Sequence, residues 1–195
     1  MSARLTSALA TVGIATSLLV AVPVSGASAA DPICDRGSTK LTWTDVSKTW
    51  VVTHKLILEN YTGGTATKTF TVKKIDEVTA SVKATVGAKV SASVAIASIE
   101  ENVSLELMAS GKHTSESSES VQWTLSKNGD YVLYSGTKKV VGYYTNWRCD
   151  AGTKWIKTGQ YGKTQSWTVA VDGGVRCAAS PGKKTLAYAV KKKYC

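Results

Sequence analysis

The sequence predicts an all-β protein of elongated antiparallel sheets, with one long amphipathic hairpin, two disulfides and a possible short C-terminal helix. Apolar residues alternate with polar ones over long runs, and helical spacing is suggested only near the end, at 185–193. Asn128-Gly129-Asp130 stands between two β-branched and aromatic runs, which is typical of a hairpin turn. The four cysteines are an even number, which favours paired sulfurs.

The first thirty residues have the pattern of a signal peptide. Arg4 precedes an apolar run at 14–24, and Ala27-Ser28-Ala29 is a small-x-small cleavage pattern. A membrane anchor is the weaker alternative, because polar residues and a proline interrupt a run that is shorter than the ~20 residues of a spanning helix. We therefore expect a secreted protein with a signal peptide at 1–30 and a single β-rich domain at 31–195, of which 78–125 is the long amphipathic hairpin.

The chain is strongly basic. It has 24 Lys and Arg against 14 Asp and Glu, a formal net charge of +10. Lysine runs at 138–139, 183–184 and 191–193 supply much of this charge and are usually solvated; their functional interpretation is attraction to anionic lipid or cell-wall polymer. Nucleic acid is not expected as a partner, because Arg is scarce after the leader.

The cysteines Cys34, Cys149, Cys177 and Cys195 predict two disulfides, for which three connectivities are open. We favour Cys149 with Cys177, and Cys34 with Cys195 tying the mature termini together. No metal site is expected, because the spacing of zinc ligands is absent from the sequence. No cofactor is expected either.

Catalytic motifs are absent from the sequence. There is no Gly-x-Ser-x-Gly, no His-Glu-x-x-His and no phosphate-binding glycine loop, and the two histidines, His54 and His113, lie in unlike surroundings. A hydrolase with a carboxylate pair stays open, because such a pair has no sequence signature. We expect the protein not to be an enzyme.

The most informative pattern is an alternation between residues 78 and 125. Every even position from Val78 to Ile96 is apolar, and the odd positions up to Ser93 are polar or Gly. From Val103 the alternation resumes with the opposite parity, as the return strand of an antiparallel hairpin requires. Ordinary strands are five or six residues long, so each arm is unusually long.

The predicted hairpin has its tip between Ile99 and Glu100, which matches apolar with apolar and one opposite-charge pair. This register sets the following residues opposite each other: Ile96 and Val103, Val94 and Leu105, Val78 and Val121, and Lys83 and Glu116.

Such a hairpin has the two faces of a membrane-spanning β-barrel strand, one for lipid and one for a wet lumen. One hairpin cannot close a barrel, so several chains would have to contribute one each. The predicted membrane-facing residues are Val86, Val90, Val94, Ile96, Val103, Leu105 and Leu107. The predicted lumen-facing residues are Lys83, Lys89, Glu106, Lys112 and Glu116.

The pattern resembles the insertion hairpin of the aerolysin and epsilon-toxin type of pore-forming proteins. Thr69-Phe70-Thr71-Val72 leads into the alternation at 79–93, and the return at 110–126 contains Ser115-Glu116-Ser117-Ser118-Glu119-Ser120. The resemblance covers about a third of the chain. It implies a β-rich toxin-like monomer that binds a target-cell membrane, assembles into a homo-oligomeric ring and inserts its hairpin. Glu119 and Met108 depart from the expected parity.

Two alternatives remain open. The hairpin is also compatible with two long strands whose Val and Ala face packs on a second sheet layer. The chain would then be a non-enzymatic secreted β module: an adaptor subunit with heteromeric toxin-particle partners, or a binder of cell-surface glycan. Tyr143, Tyr144 and Trp147, next to Cys149, are the candidate surface-binding residues, because a disulfide-anchored aromatic loop is preorganised.

Overall fold

A computed structural model describes residues 33–87, 90–113 and 116–195. The predicted signal peptide at 1–30 lies outside them. The elements of the described residues, in chain order, are β1 (Thr39–Asn60), β2 (Ala66–Lys74), β3 (Val78–Thr79), β4 (Ser81–Val86), α1 (Ala92–Val103), β5 (Lys112–His113), β6 (Ser118–Leu125), β7 (Gly129–Asp150), β8 (Lys154–Trp167), β9 (Val171–Arg176) and α2 (Leu186–Tyr194). The predicted all-β class and the C-terminal helix are confirmed.

Two strands of 22 residues, β1 and β7, form the central ladder of the sheet. They are antiparallel from Thr39 opposite Arg148 to Asn60 opposite Gly129. β8 pairs with the C-terminal half of β7 and β9 with its N-terminal half, and β4 lies outside β8. The order β4-β8-β7-β1-β2-β6 places each remaining long strand within two positions of this ladder.

The predicted hairpin turn at Asn128-Gly129-Asp130 is wrong in its pairing. β7 does begin at Gly129, but β6 pairs with β2 rather than with β7. The turn signal was local, whereas the partner of β6 is set by the apolar cluster of Val72, Val121 and Leu133, which packs β2 and β6 together against β7.

Each helix lies on one end of the central ladder. α1 packs on the half that contains Val140, and α2 packs through Leu186 and Val190 on the half that contains Val52 and Val132. Thr185 caps α2, its hydroxyl accepting a hydrogen bond from the backbone N–H of Tyr188. The two helices therefore cover different stretches of β1 and β7.

The disulfide pairing that we favoured is wrong. Cys34 is bonded to Cys149, and Cys177 is bonded to Cys195. The first bond joins the start of the described chain to the end of β7, and the second joins the C-terminus of α2 to the segment after β9. Sequence separations of 115 and 18 correspond to about 4.8 and about 3 kcal/mol of loop-closure entropy removed from the unfolded chain.

The long hairpin predicted at 78–125 is not formed in this structure. Its residues instead form β3, β4, α1 and β5, followed by β6. Val94 therefore does not lie opposite Leu105, and Lys83 lies opposite Lys163 rather than Glu116. The physical reason is that 92–103 also carries a helical apolar stripe, which α1 buries against the sheet.

Gly142 in β7 gives α1 its room on the sheet. A Cβ at this position would lie 2.8 Å from Ile99 Cδ1 and 3.0 Å from Trp43 Cε3. We predict that Gly142→Ala lowers the free energy of unfolding by about 1–3 kcal/mol, because the added methyl overpacks the contact.

The measurement is chemical denaturation with both disulfides intact. Gly64→Ala is the matched control, because a Cβ there has nothing within 4 Å. Equal midpoints for the two variants would contradict close packing of α1 at Gly142.

Candidate functional site

The candidate site is the chain between β2 and β6, residues 75–117, here called the excursion segment. β2 and β6 are antiparallel neighbours in which Lys73 lies opposite Ser118. The excursion segment therefore leaves and re-enters the sheet at one point. Such an insertion between two paired strands is a hairpin whose stem is already formed.

The two arms of the excursion segment continue the register of this stem. Directly paired residues have numbers that sum to 191 in the β2–β6 ladder, and again where Val78 lies opposite His113 in the β3–β5 ladder. Two further backbone hydrogen bonds obey the same register: Lys74 N–H donates to Ser117 O at 2.9 Å and Ala80 N–H donates to Gly111 O at 3.1 Å. One register thus extends from Ala66 and Leu125 to Ala80 and Gly111, with Thr114 and Ser115 outside the described residues.

This observed register corrects the predicted one. Val78 was expected opposite Val121 and lies opposite His113, eight residues earlier on the return arm. Because eight is an even number, side chains that stay on the same arm keep the face that the alternation assigns to them. The expected tip moves by four residues, so 96–99 pass to the return arm and change faces, and Ile96 leaves the apolar face.

Beyond Ala80 and Gly111 the arms separate and attach to the sheet in different ways. β4 becomes an edge strand on β8, with Ser81 opposite Gln165. The return arm contacts the end of β8, where Met108 N–H donates to Trp167 O at 2.9 Å. Between the two arms, α1 crosses the sheet.

Local signals explain why 92–103 is helical. The Ser91 hydroxyl accepts a hydrogen bond from Val94 N–H, which is an N-cap, and Ser104 ends the helix in the left-handed conformation with φ 53°. Ala95, Ile99 and Val103 recur every four residues and are buried. The same residues that alternate as a strand therefore also make a helix with one apolar face.

α1 is held on the sheet by one apolar cluster and a few polar contacts. Ile96, Ile99 and Val103 pack with Leu107 and Val140. Trp43 Nε1–H donates to Ser98 Oγ at 3.0 Å, and Lys48 Nζ donates to Val103 O at 3.0 Å. The N-terminal end of α1 is less completely packed, since Val90 and Val94 line an open cleft of about 470 Å³ together with Asn146 and Gln160.

The residues predicted to face lipid are divided between core and surface in this structure. Ile96, Val103 and Leu107 are buried, and Leu105 and Val90 are half-buried. Val94 is 56% exposed in the first turn of α1. The side chain of Val86 lies outside the description. The larger apolar residues are therefore protected inside the protein.

The predicted lumen-facing residues are on the surface. Lys83, Glu106, Lys112 and Glu116 are exposed, and Lys89 lies outside the described residues. Lys112 Nζ is 3.7 Å from Glu77 Oε1, and a hydrogen bond from Lys74, together with Lys112, lowers the pKa of Glu77. The polar face is thus hydrated while much of the apolar face is covered.

Both histidines lie at the base of the excursion segment, beside the β2–β6 stem; this place, with His54, His113, Glu116 and Glu119, is called the neck here. The sequence did not indicate that both histidines lie there. His54 is fully buried; its Nε2 donates to Glu116 O at 3.2 Å and its Nδ1 is 3.5 Å from Glu119 Oε2. His113 stacks on Trp167 with ring centroids 6.4 Å apart, and its Nε2 is buried without a hydrogen-bond partner among the described residues. Burial lowers the pKa of His113.

The three aromatic candidates do not share one face. Tyr143 is 45% exposed, and Trp147, on the same face, donates from Nε1 to Thr42 Oγ1 at 2.9 Å. Tyr144 is wrong as a surface residue: it is 2% exposed and its ring contacts Trp43 edge to face at 5.8 Å. Adjacent strand residues point to opposite faces, so Tyr143 and Tyr144 cannot both face solvent here.

No known family model matches the chain, and no curated protein matches it. Among solved structures, the chain is similar to the crystal structure of the parasporin-2 Bacillus thuringiensis toxin that recognizes cancer cells, with 11% identity and a TM-score of 0.31. The similarity covers 72% of this chain and 74% of that chain. A similarity at this level establishes neither a family nor a function for the chain. Within the described residues no helix is long and apolar enough to cross a membrane.

We predict that low pH decreases the free energy of unfolding of the protein through His113. Because the folded-state pKa of His113 is lowered, the unfolded chain binds more protons, and stability is lost as the pH falls below about 6.5. His113→Leu removes the titrating group, so the free energy of unfolding should decline less between about pH 7.5 and about pH 5.5 than it does in the wild type.

The measurement is chemical denaturation of both proteins across that pH range. Equal losses of stability in the wild type and in His113→Leu would contradict the assignment of the effect to His113.

Proposed function

We propose that this chain is a secreted, non-enzymatic pore-forming protein, toxin-like in action, that assembles on a target membrane and inserts the excursion segment as a β-hairpin. The observation that carries the proposal is the common register of the β2–β6 and β3–β5 ladders. A hairpin stem that is already in register needs only to be extended, so its nucleation step is complete before any membrane is met.

Extending the stem brings apolar residues together on one face. The register sets Val82 opposite Ala109, Ala84 opposite Leu107 and Val86 opposite Leu105, and it centres the tip between Ala95 and Ile96. The other face then carries Ser, Thr, Lys and Glu together with Ile96 and Met108, and Glu101 falls on the apolar face opposite Val90. Each arm beyond Ala80 and Gly111 is long enough, since a tilted transmembrane strand needs about 9–11 residues.

Extension requires that β4 leaves β8 and that α1 unfolds. The apolar burial of Ile96, Ile99 and Val103 is lost from the protein core, and lipid replaces it for the residues that face outward. Glu100 and Glu101 must cross with the tip, which is costly for charged groups. Assembly into a ring before insertion removes a second cost, that of unpaired backbone groups in lipid, because closure of the barrel satisfies the backbone groups of all hairpins together.

A second candidate is a non-lytic β module that acts as an adaptor subunit or binds glycan. The burial of Ile96, Ile99 and Val103 in a continuous apolar cluster favours it, because removing these side chains from water stabilises α1 on the sheet as a permanent layer. In that case 75–117 stays on the sheet. A covalent cross-link that holds the excursion segment on the sheet distinguishes the two candidate functions experimentally.

We predict that a cross-link between β4 and β8 abolishes membrane leakage. Ser81 and Gln165 are direct partners, and opposed residues of an antiparallel pair have the Cα separation that a disulfide needs. Ser81→Cys with Gln165→Cys should therefore hold β4 in place, whereas Ser81→Ala with Gln165→Ala leaves it free.

The measurement is dye release from vesicles of phosphatidylcholine with phosphatidylglycerol and from cultured cells. We expect leakage from the wild type and the alanine control, with at least a tenfold slower release for the cross-linked protein. Equal leakage from the cross-linked and control proteins would contradict insertion of the excursion segment. A wild type without leakage, recovered from culture fluid in a stable complex with other proteins, would favour the adaptor.

A further inference from the structure

The half of the sheet that carries α1 has a second face, formed by β4, β8, β7 and β1. α1 packs on one face, which includes Trp43, Val140 and Tyr144. The alternation of strand side chains places Tyr143, Trp147 and the residues opposite them on the other face. We call this surface the outer face. It includes the side chains of Lys40, Thr42, Tyr143, Thr145, Trp147, Trp155, Lys157, Tyr161 and Lys163, with Lys83 of β4 opposite Lys163.

Lysines on the outer face lie against aromatic rings. Lys40 Nζ is 4.3 Å from the centroid of Trp155, Lys157 Nζ is 5.4 Å from Trp147, and Lys163 Nζ is 5.6 Å from Tyr143. The ring quadrupole attracts each cation, which holds the ammonium groups in a defined array above the sheet. This array spans three strands.

Among the described residues, the cations of this array have no anionic partner. The ion pairs of the described residues involve His54, Lys74 and Lys112, none of which is on the outer face. Tyr143 and Tyr161 remain 45% and 46% exposed between the lysines. The surface therefore offers fixed positive charge and amphipathic rings side by side, which is chemistry for an anionic partner.

We propose that the outer face binds the surface of a membrane that contains anionic phospholipid. Tyr and Trp rings settle at the level of the headgroups, and lysines near the surface gain from its negative potential. The strands make an extended surface that matches an array of headgroups. The choice of a membrane rests on the proposed function, and the binding itself does not require insertion.

The geometry also separates binding from insertion. α1 lies on the opposite face from Tyr143, so a membrane on the outer face leaves α1 uncovered, while β4 lies at the edge of that face. Binding through the outer face thus brings the protein to lipid without covering the helix that must unfold.

The experiment is co-sedimentation with vesicles of phosphatidylcholine alone and with an equal share of phosphatidylglycerol. We expect binding to the anionic vesicles, weakened by salt, and a loss of about fivefold per lysine in the triple variant Lys40→Gln, Lys157→Gln and Lys163→Gln. The pair Tyr143→Ser and Tyr161→Ser should also weaken it. The matched control is Lys68→Gln, Lys183→Gln and Lys184→Gln, which removes the same charge at exposed positions elsewhere.

Three results would overturn the proposal: equal weakening by the control triple variant, equal binding to phosphatidylcholine alone, or binding to a soluble sulfated polysaccharide with none to vesicles. The cross-linked Ser81→Cys, Gln165→Cys protein distinguishes this proposal from the proposed function. If that protein binds vesicles without causing leakage, the result supports binding through the outer face. If the wild type causes leakage and the outer-face substitutions leave vesicle binding unchanged, only this inference is contradicted.

Discussion

The ladder between β1 and β7 is the constraint on which the rest of the structure depends. Its two strands of 22 residues supply the pairing edge for β8, β9 and β2, and both helices pack on it. Backbone hydrogen bonds along such a ladder cannot be exchanged for others without separating the whole pair. The ladder, tied to the start of the described chain by the disulfide between Cys34 and Cys149, is therefore the frame on which the excursion segment packs.

The excursion segment is the part whose sequence suits two structures. As a strand pair it has one apolar and one polar face; as α1 it has a capped helix with an apolar stripe. The helix is the favoured structure here because Ile96, Ile99 and Val103 pack against Val140 on the sheet. A lone extended hairpin would instead expose its apolar face to water. Under the proposed function a membrane would reverse that comparison, because lipid would accept the apolar face and a closed ring would remove the open edges. The protein environment thus decides between two locally consistent folds.

The accuracy of sequence prediction here depends on the range of the interaction. The faces of the alternation are local, so they could be predicted, and their parity agrees with the pairing of Val78 and His113. The register could not, because it is set at β2 and β6, whose partnership depends on the cluster of Val72 and Val121 far from the tip. The pairing of Cys34 with Cys149 likewise requires knowledge of where β7 ends.

Other features were accessible in part. The helical spacing of Ala95, Ile99 and Val103 was present beside the alternation, and only the tertiary contact with the sheet decides between them. The burial of Tyr144 follows from adjacency to Tyr143 once both are placed in one strand. The lysine and aromatic array of the outer face joins three strands and has no signature in any one of them.

The central claim is that membrane contact extends the stem in its existing register, and a cross-link on the polar face tests it most directly. In this structure Lys83 lies opposite Lys163, whereas the backbone N–H of Met108 donates a hydrogen bond to Trp167 O. Trp167 is four residues, or about 13 Å, further along β8 than Lys163. Cysteines at Lys83 and Met108 should therefore stay unlinked in solution and form a disulfide on membranes. Cross-linking on membranes of cysteines at Lys83 and Glu116 instead, or of neither pair, would contradict the account.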